Sequence, residues 1–376
     1  MYKYFLFSLI VHLVFVNSCT NEKNYRIYEV NGKSIYQNKS LSSNDKLDLK
    51  LEKLYEVNSD STRYSKESSL NYPLFFKADK VASLIVLDYS DKKIKKYDKN
   101  GNFSKSFGNI GSGPGEYLSP SDLFLSENKI YVNDVRQKSL ILYKSNGDFI
   151  EKKLINKIFT SIQSITESRF LCSAMNPERS GSEFNLVKTL GIYDGSFNLL
   201  KELNKTVYEI NENENFNPLN FFYSVTIIRD KIYLATNSTN EYTIEIFDLH
   251  GNNSESIRKN YFKHELTDTE FLKEKNFLNS QSGTDFKENF IKYKNSINGI
   301  FNLKDEYLLV STPKDSNEPD GIKFDVFKRN IFQKSIFVDI PIESELLPQL
   351  NIIGNRLYTI NRETNSIIVY EVNING

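Results

Sequence analysis

The chain has 376 residues, with 48 basic and 48 acidic side chains and no formal net charge, a balance that excludes a nucleic-acid protein, whose affinity rests on neutralising phosphates. Tyr (23) and Phe (27) are abundant, Trp is absent and Pro numbers 9. That composition excludes a collagenous or wholly disordered chain and favours a core of strands rich in aromatic and β-branched residues.

The N-terminus opens Met1-Tyr2-Lys3 and continues into an apolar run over residues 4–16, broken by Ser8 and His12, before Asn17-Ser18-Cys19-Thr20. A basic start, an apolar middle and a small residue before the cut are the layout of a signal peptide. The run is shorter than the ~20 apolar residues that span a bilayer. Cys19, preceded by Ser18, sits where a bacterial lipobox places its cysteine, although Val16 and Asn17 depart from the usual Leu and small residue. Residues 1–19 are therefore expected to be a lipoprotein signal peptide ending at a lipid-anchored Cys19. Several acyl chains there give stable membrane attachment. Residues 20–46 read as a linker, and residues 47–376 as one folded unit.

The alternating run over residues 47–57 has no repeat partner of its own. After it, a repeat begins. Leu84-Ile85-Val86-Leu87-Asp88, Ile94-Lys95-Lys96-Tyr97-Asp98 and Lys99-Asn100-Gly101-Asn102 recur as Ile130-Tyr131-Val132-Asn133-Asp134, Leu140-Ile141-Leu142-Tyr143-Lys144 and Ser145-Asn146-Gly147-Asp148. Each unit reads as strand, turn, strand, Asn-Gly hairpin and strand, the hairpin requiring positive φ at both central residues. Degenerate copies follow at Phe170, Ile232, Tyr307 and Leu357, the third carrying a polar insertion over residues 176–185. Six copies at blade-length spacing predict an all-β, six-bladed β-propeller of four-stranded blades. Its ring needs closing, and the 47–57 run is the natural outer strand of the sixth blade. Between copies four and five, residues 268–297 lose the two-residue period. Phe271, Leu272, Phe277 and Leu278, then Phe286, Phe290, Ile291 and Tyr293, resemble two helical faces, with Thr267-Asp268-Thr269-Glu270 as capping residues. This predicts a helical insertion over one face of the ring, as cover or as a lid or partner site.

Phe107-Gly108-Asn109-Ile110-Gly111-Ser112-Gly113-Pro114-Gly115-Glu116-Tyr117, with Pro120, Asp122 and Leu123 after it, resembles a loop of the six-bladed β-propeller lipoproteins of Bacteroidetes-type bacteria, distant NHL- or TolB-like relatives. The resemblance covers residues 47–376 and the Cys19 anchor. It implies the propeller fold and an exported, lipid-anchored place in the cell envelope, at the outer membrane on its periplasmic or surface side, and little chemistry. Physically, the glycines and Pro114 suit a tight inter-blade crossing. The functional reading puts Gly113, Glu116 and Tyr117 at the channel mouth, facing a ligand. The loop is neither a P-loop, lacking Gly-Lys-Ser/Thr, nor a Rossmann fingerprint, lacking the helix.

Catalytic groups are scarce. Beyond His12 there are two histidines, His250 and His264, with no CxxC, HExxH or Gly-x-Ser-x-Gly, so no zinc site or nucleophile triad is predicted. Cys172 reads as a buried thiol. Asp88 and Asp134 end equivalent strands, with Asn361 in the matching place. They read either as caps of the following turns or as oxygen ligands for a divalent cation such as calcium, resembling propeller lactonases of the regucalcin kind. No cofactor and no catalytic residue follow. The leading expectation is a non-enzymatic binding or scaffold propeller with a protein or glycan partner and no nucleic acid. The alternative is a metal-dependent lactonase or lyase using carboxylates at the channel.

Overall fold

The computed structural model describes residues 23–59, 63–126, 128–155, 157–180, 183–209, 223–282 and 291–375. The run Leu84, Ile85, Val86 and Leu87 is buried along its whole length, which a strand achieves only when both faces are covered. A propeller does this by packing each sheet face on a neighbouring blade. Ile85 and Leu87 accordingly meet Ile130, Val132 and Ile141 of the next blade, while Leu84 and Val86 meet Tyr358, Ile360 and Val369 of the last one.

From inner to outer strand, the blades are Pro73–Ala78, Leu84–Asp88, Lys93–Tyr97, Phe103–Phe107 (one); Pro120–Ser126, Lys129–Asp134, Ser139–Lys144, Phe149–Leu154 (two); and Ile158–Thr166, Arg169–Ser180, Glu183–Asp194, Leu199–Glu209 (three). Then come Ser224–Ile228, Lys231–Ala235, Tyr242–Asp248, Asn253–Lys259 (four); Gly299–Leu303, Tyr307–Thr312, Ile322–Lys328, Ile331–Val338 (five); and Leu350–Ile353, Arg356–Asn361, Ser366–Asn375 (six). The fourth strand of blade six is Asp48–Val57, antiparallel to Ser366–Asn375 from Val57 opposite Ile367 to Asp48 opposite Asn375. An N-terminal strand thus closes the ring, as the unpartnered alternating run predicted.

Three local expectations change. The Asn-Gly hairpins place only the glycines at positive φ, 80° at Gly101 and 86° at Gly147. The ladders shift register at Lys96/Tyr97 and Leu142/Tyr143, so these are longer loops with a bulge rather than two-residue turns. Asp98 favours this form by accepting the amides of Asn100 at 2.8 Å and Asn102 at 2.9 Å. The polar insertion of blade three is a continued hairpin, paired from Arg169 opposite Asp194 to Ser180 opposite Glu183.

The third change concerns residues 20–46, expected to be a linker. Tyr25–Val30 and Lys33–Asn38 form a hairpin whose second strand runs parallel to Asn253–Lys259, making blade four a six-stranded sheet. Asn38, fully buried, fastens it: Nδ2 donates to the carbonyls of Asn330 at 3.2 Å and Arg258 at 3.3 Å, and Oδ1 accepts the Phe332 amide at 2.9 Å. The chain then bonds Gln333 through Ser42, Ser43 and Asn44 on its way to blade six. A belt therefore crosses blades four, five and six before the closing strand. Its hairpin carries a local signal that the repeat reading passed over, Asn31-Gly32, both at positive φ (51° and 76°) between Val30 and its partner Lys33.

Between blades four and five lies one helix among the described residues, Asp268–Ser282. It opens with a reciprocal cap, Thr267 N donating to Glu270 Oε2 at 2.9 Å and Glu270 N to Thr267 Oγ1 at 3.3 Å. Phe277 and Leu278 pack with Ile291, Leu346 and Leu347. The buried Lys294 ties Glu270 (2.7 Å) to Glu345 (3.3 Å) and the Lys314 carbonyl (2.7 Å). Burial pushes the Glu274 carboxyl above its ordinary range, where it accepts from Ser344 and from the Glu345 amide. The helix is thereby riveted to the crossing between blades five and six. Of the second expected helical face, Phe286 and Phe290 lie outside the described residues, and Ile291 and Tyr293 belong to irregular backbone, Tyr293 bridging to Glu265.

Candidate functional site: the central channel

The residues that the sequence singled out do not line the channel. Glu116 turns back into its own loop, accepting the Gly113 amide at 2.8 Å, and a Cβ at Gly111 would fall 2.1 Å from Glu116 Oε2. Glycine at 111 is what lets the carboxylate lie there. Tyr117 is 1% exposed, packed between blades one and two, and donates to the Lys92 carbonyl at 2.9 Å. Tyr143 of blade two donates to the Gly115 carbonyl at 2.8 Å, and Gln137 to that of Gly111 at 3.1 Å. The loop is an inter-blade staple, and the reading of Gly113, Glu116 and Tyr117 as a channel-mouth site is corrected: the carboxylate is committed to an amide and the tyrosine to the core.

Asp88 and Asp134 are likewise occupied. Asp88 accepts the amides of Asn71 (2.8 Å), Tyr72 (3.0 Å) and Ser90 (3.1 Å) and the ammonium of Lys95 (3.0 Å). Asp134 accepts those of Leu118 (2.6 Å), Ser119 (3.1 Å), Arg136 (3.1 Å) and Gln137 (3.2 Å). Asn361 Oδ1 accepts Glu363 N at 3.0 Å and Thr364 N at 3.3 Å. Each aspartate therefore joins the turn after its own strand to the crossing that enters the blade, which is turn capping extended to a second segment. Among the described residues no group of three or more His, Cys, Asp or Glu side chains could hold a metal ion. His264 pairs with Asp315 at 2.9 Å and His250 lies 3.3 Å from Arg169, so the two rings serve separate contacts. Cys172 is fully buried, and desolvation pushes its thiol pKa up. Cys19 lies outside the described residues.

The inner strands of all six blades surround an axial cavity of 590 Å³. Three ladder positions before Asp88, Asp134 and Asn361 stand Ile85, Tyr131 and Tyr358, and their inner-strand partners Lys77, Phe124 and Asn351 line the cavity at one level. The other blades contribute Gln163, Thr226 and Phe301. Asp122 also lines it, its Oδ1 accepting the Leu123 amide at 2.8 Å and Oδ2 the Ile162 amide of blade three at 3.0 Å. Desolvation pushes this carboxyl up, opposed by the positive charge of Lys77 and the two amides. The sequence reading missed Lys77 altogether, and quoted Asp122 only as part of a loop. The available signal was a lysine at Lys77 and an acid at Asp122 within otherwise apolar inner strands, Leu74-Phe75-Phe76-Lys77-Ala78 and Asp122-Leu123-Phe124-Leu125.

No curated protein matches this sequence. Among solved structures, a candidate exported protein of Bacteroides fragilis NCTC 9343, BF0058, superposes with a TM-score of 0.53 at 15% identity, covering 91% of this chain and 100% of that one. A DUF4221-family member from Bacteroides vulgatus ATCC 8482 gives 0.49 at 12% identity, over 89% and 100% of the two chains. At 15% identity the first likeness speaks for the fold alone, as expected of a scaffold that hosts many functions. A family model described as 6-bladed beta-propeller matches residues 77–308, and with the six sheets and their closure in place, the chain belongs to this propeller family, DUF5128.

Proposed function

We propose that this protein is an exported, non-catalytic binding propeller, held at an envelope membrane through Cys19, which takes its ligand in the central channel. The observation carrying the reading is the chemistry of that cavity: 590 Å³ walled by six blades, with amide, hydroxyl and aromatic side chains and only Lys77 and Asp122 charged among the lining residues. A concave site with a few convergent polar groups is the usual form of a small-molecule pocket. Its one carboxylate already accepts two amides, which leaves no acid and base pair for hydrolysis or elimination. The signal-like N-terminus and the likeness to a candidate exported protein support an envelope location, with the outer membrane as the expected one and a protein or glycan as the wider partner class.

Two measurements test this. Cys19→Ser is expected to move the protein from the membrane fraction to the soluble fraction, with loss of the mass of the acyl chains; unchanged membrane association would refute the anchor. Native mass spectrometry of the protein purified from its own membrane is expected to reveal a small molecule retained at one per chain.

A further inference from the structure

Lys77 is the one cation among the residues lining the channel, and among the described residues its side chain makes no hydrogen bond or ion pair. The residue is partly buried and lines a cavity where water is confined and charge interactions are stronger than at an open surface. The neighbouring carboxylate does not neutralise it. Asp122 lies within its electrostatic reach but makes no ion pair, directing both oxygens to backbone amides, and its burial favours the neutral form. Lys77 therefore offers a positive site to something that enters the channel.

The surroundings narrow the class. Gln163 and Asn351 carry amides, and Thr226 a hydroxyl; each can both donate and accept. Phe301 of blade five, partly buried, presents its ring on the channel wall, while Phe124 of the opposite blade is stacked on Tyr131 in the core. A sugar ring matches this combination, with hydroxyls for the amides and an apolar C–H face for the Phe301 ring. The volume suits a mono- or disaccharide, since ligand pockets run from roughly 300 to 1,000 Å³.

We infer that the channel binds a singly charged sugar acid, a uronate or a closely similar glycan end, with its carboxylate on Lys77 and its hydroxyls on Gln163, Thr226 and Asn351. This rests on the channel-binding reading above and deepens it. The ammonium sets the charge, and the ring of amides and hydroxyls sets the preference for a polyhydroxylated body over a simple fatty or aromatic acid.

The test uses the full chain in detergent, titrated calorimetrically with D-glucuronate and D-galacturonate and, for comparison, with glucose and galactose. Because the natural chain contains no Trp, an Ile353→Trp variant provides a fluorescent reporter on the channel wall. Uronates are expected to bind about tenfold or more tightly than the neutral sugars and to shift the reporter's emission, an advantage that Lys77→Met abolishes and Lys77→Arg largely keeps. Equal binding of neutral and acidic sugars, or uronate binding that survives Lys77→Met in a folded protein, overturns the inference while leaving channel binding intact. A neutral molecule found by native mass spectrometry does the same. A reporter silent to all four sugars, together with no retained molecule, overturns both the inference and the channel reading.

Discussion

Gly147 offers a direct measure of how blades lock together. It stands at φ 86° in the turn of blade two, and a Cβ there would lie 2.6 Å from Cδ1 and 2.9 Å from Cγ of Phe107, at the end of the outer strand of blade one. That ring already packs edge-on against Tyr143, with centroids 5.1 Å apart, so it has little room to retreat. Gly147→Ala therefore carries two costs. A side chain in the left-handed region costs about 1–2 kcal/mol, and displacing a packed ring costs about 1–3 kcal/mol more. Gly354 separates the two, because it has φ 63° and a Cβ there would meet nothing within 4 Å. Gly354→Ala should bear the first cost alone. Urea unfolding of both variants, with m-values checked for equality, is expected to place Gly147→Ala lower in stability by about 1–3 kcal/mol. In a Phe107→Ala background that excess should vanish, as a double-mutant cycle would show. Equal losses in the two glycine variants would refute the claim that the hairpin glycine is required by the neighbouring blade.

Other expectations follow from the same contacts. Asn38→Ala leaves the Asn330 carbonyl and the Phe332 amide without their buried partner; a loss of about 1–3 kcal/mol is expected, with faster hydrogen exchange over 25–38 but not in blade two. The buried Lys188 has its pKa lowered from 10.5 to about 7 by desolvation. Between those values the unfolded chain holds a proton that the folded chain has released, so stability rises with pH from about 7 toward 10.5 and is lowest below that window. The slope approaches about 1.4 kcal/mol per pH unit, and Lys188→Met should remove it from a series of thermal melts. Asp134→Asn presents an amide nitrogen to backbone donors and is expected to cost about 1–3 kcal/mol. Millimolar calcium should leave the melting temperature of the natural chain unmoved, whereas a calcium-dependent rise that Asp88→Ala abolishes would restore the metal reading.

Local sequence determined the architecture because a blade is built from short-range signals: apolar runs, Asp-rich turns and hairpin glycines recurring 46 residues apart, as Gly101 and Gly147 do. The closing strand was legible for a complementary reason, since Asp48–Val57 alternates like a strand yet has no partner nearby. The site was not legible in the same way. Asp88, Asp134 and Glu116 attracted notice because they recur or sit among glycines, and they recur because every blade must cap its turns and pin its crossings. Lys77 and Asp122 do not recur, so the repeat does not mark them; they show only as single charges in apolar inner strands. They matter only because the ring brings six inner strands, distant in the chain, around one axis. The belt over residues 25–46 is similar: Asn31-Gly32 and its flanking Tyr, Ile and Val mark a hairpin locally, but its place comes from a parallel edge offered by blade four, more than 200 residues away in sequence. Sequence by itself decided which segments are strands and how many blades they make, since those choices depend on neighbours along the chain. Which polar groups are committed to amides, and which one is left facing the channel, was decided only when the ring closed.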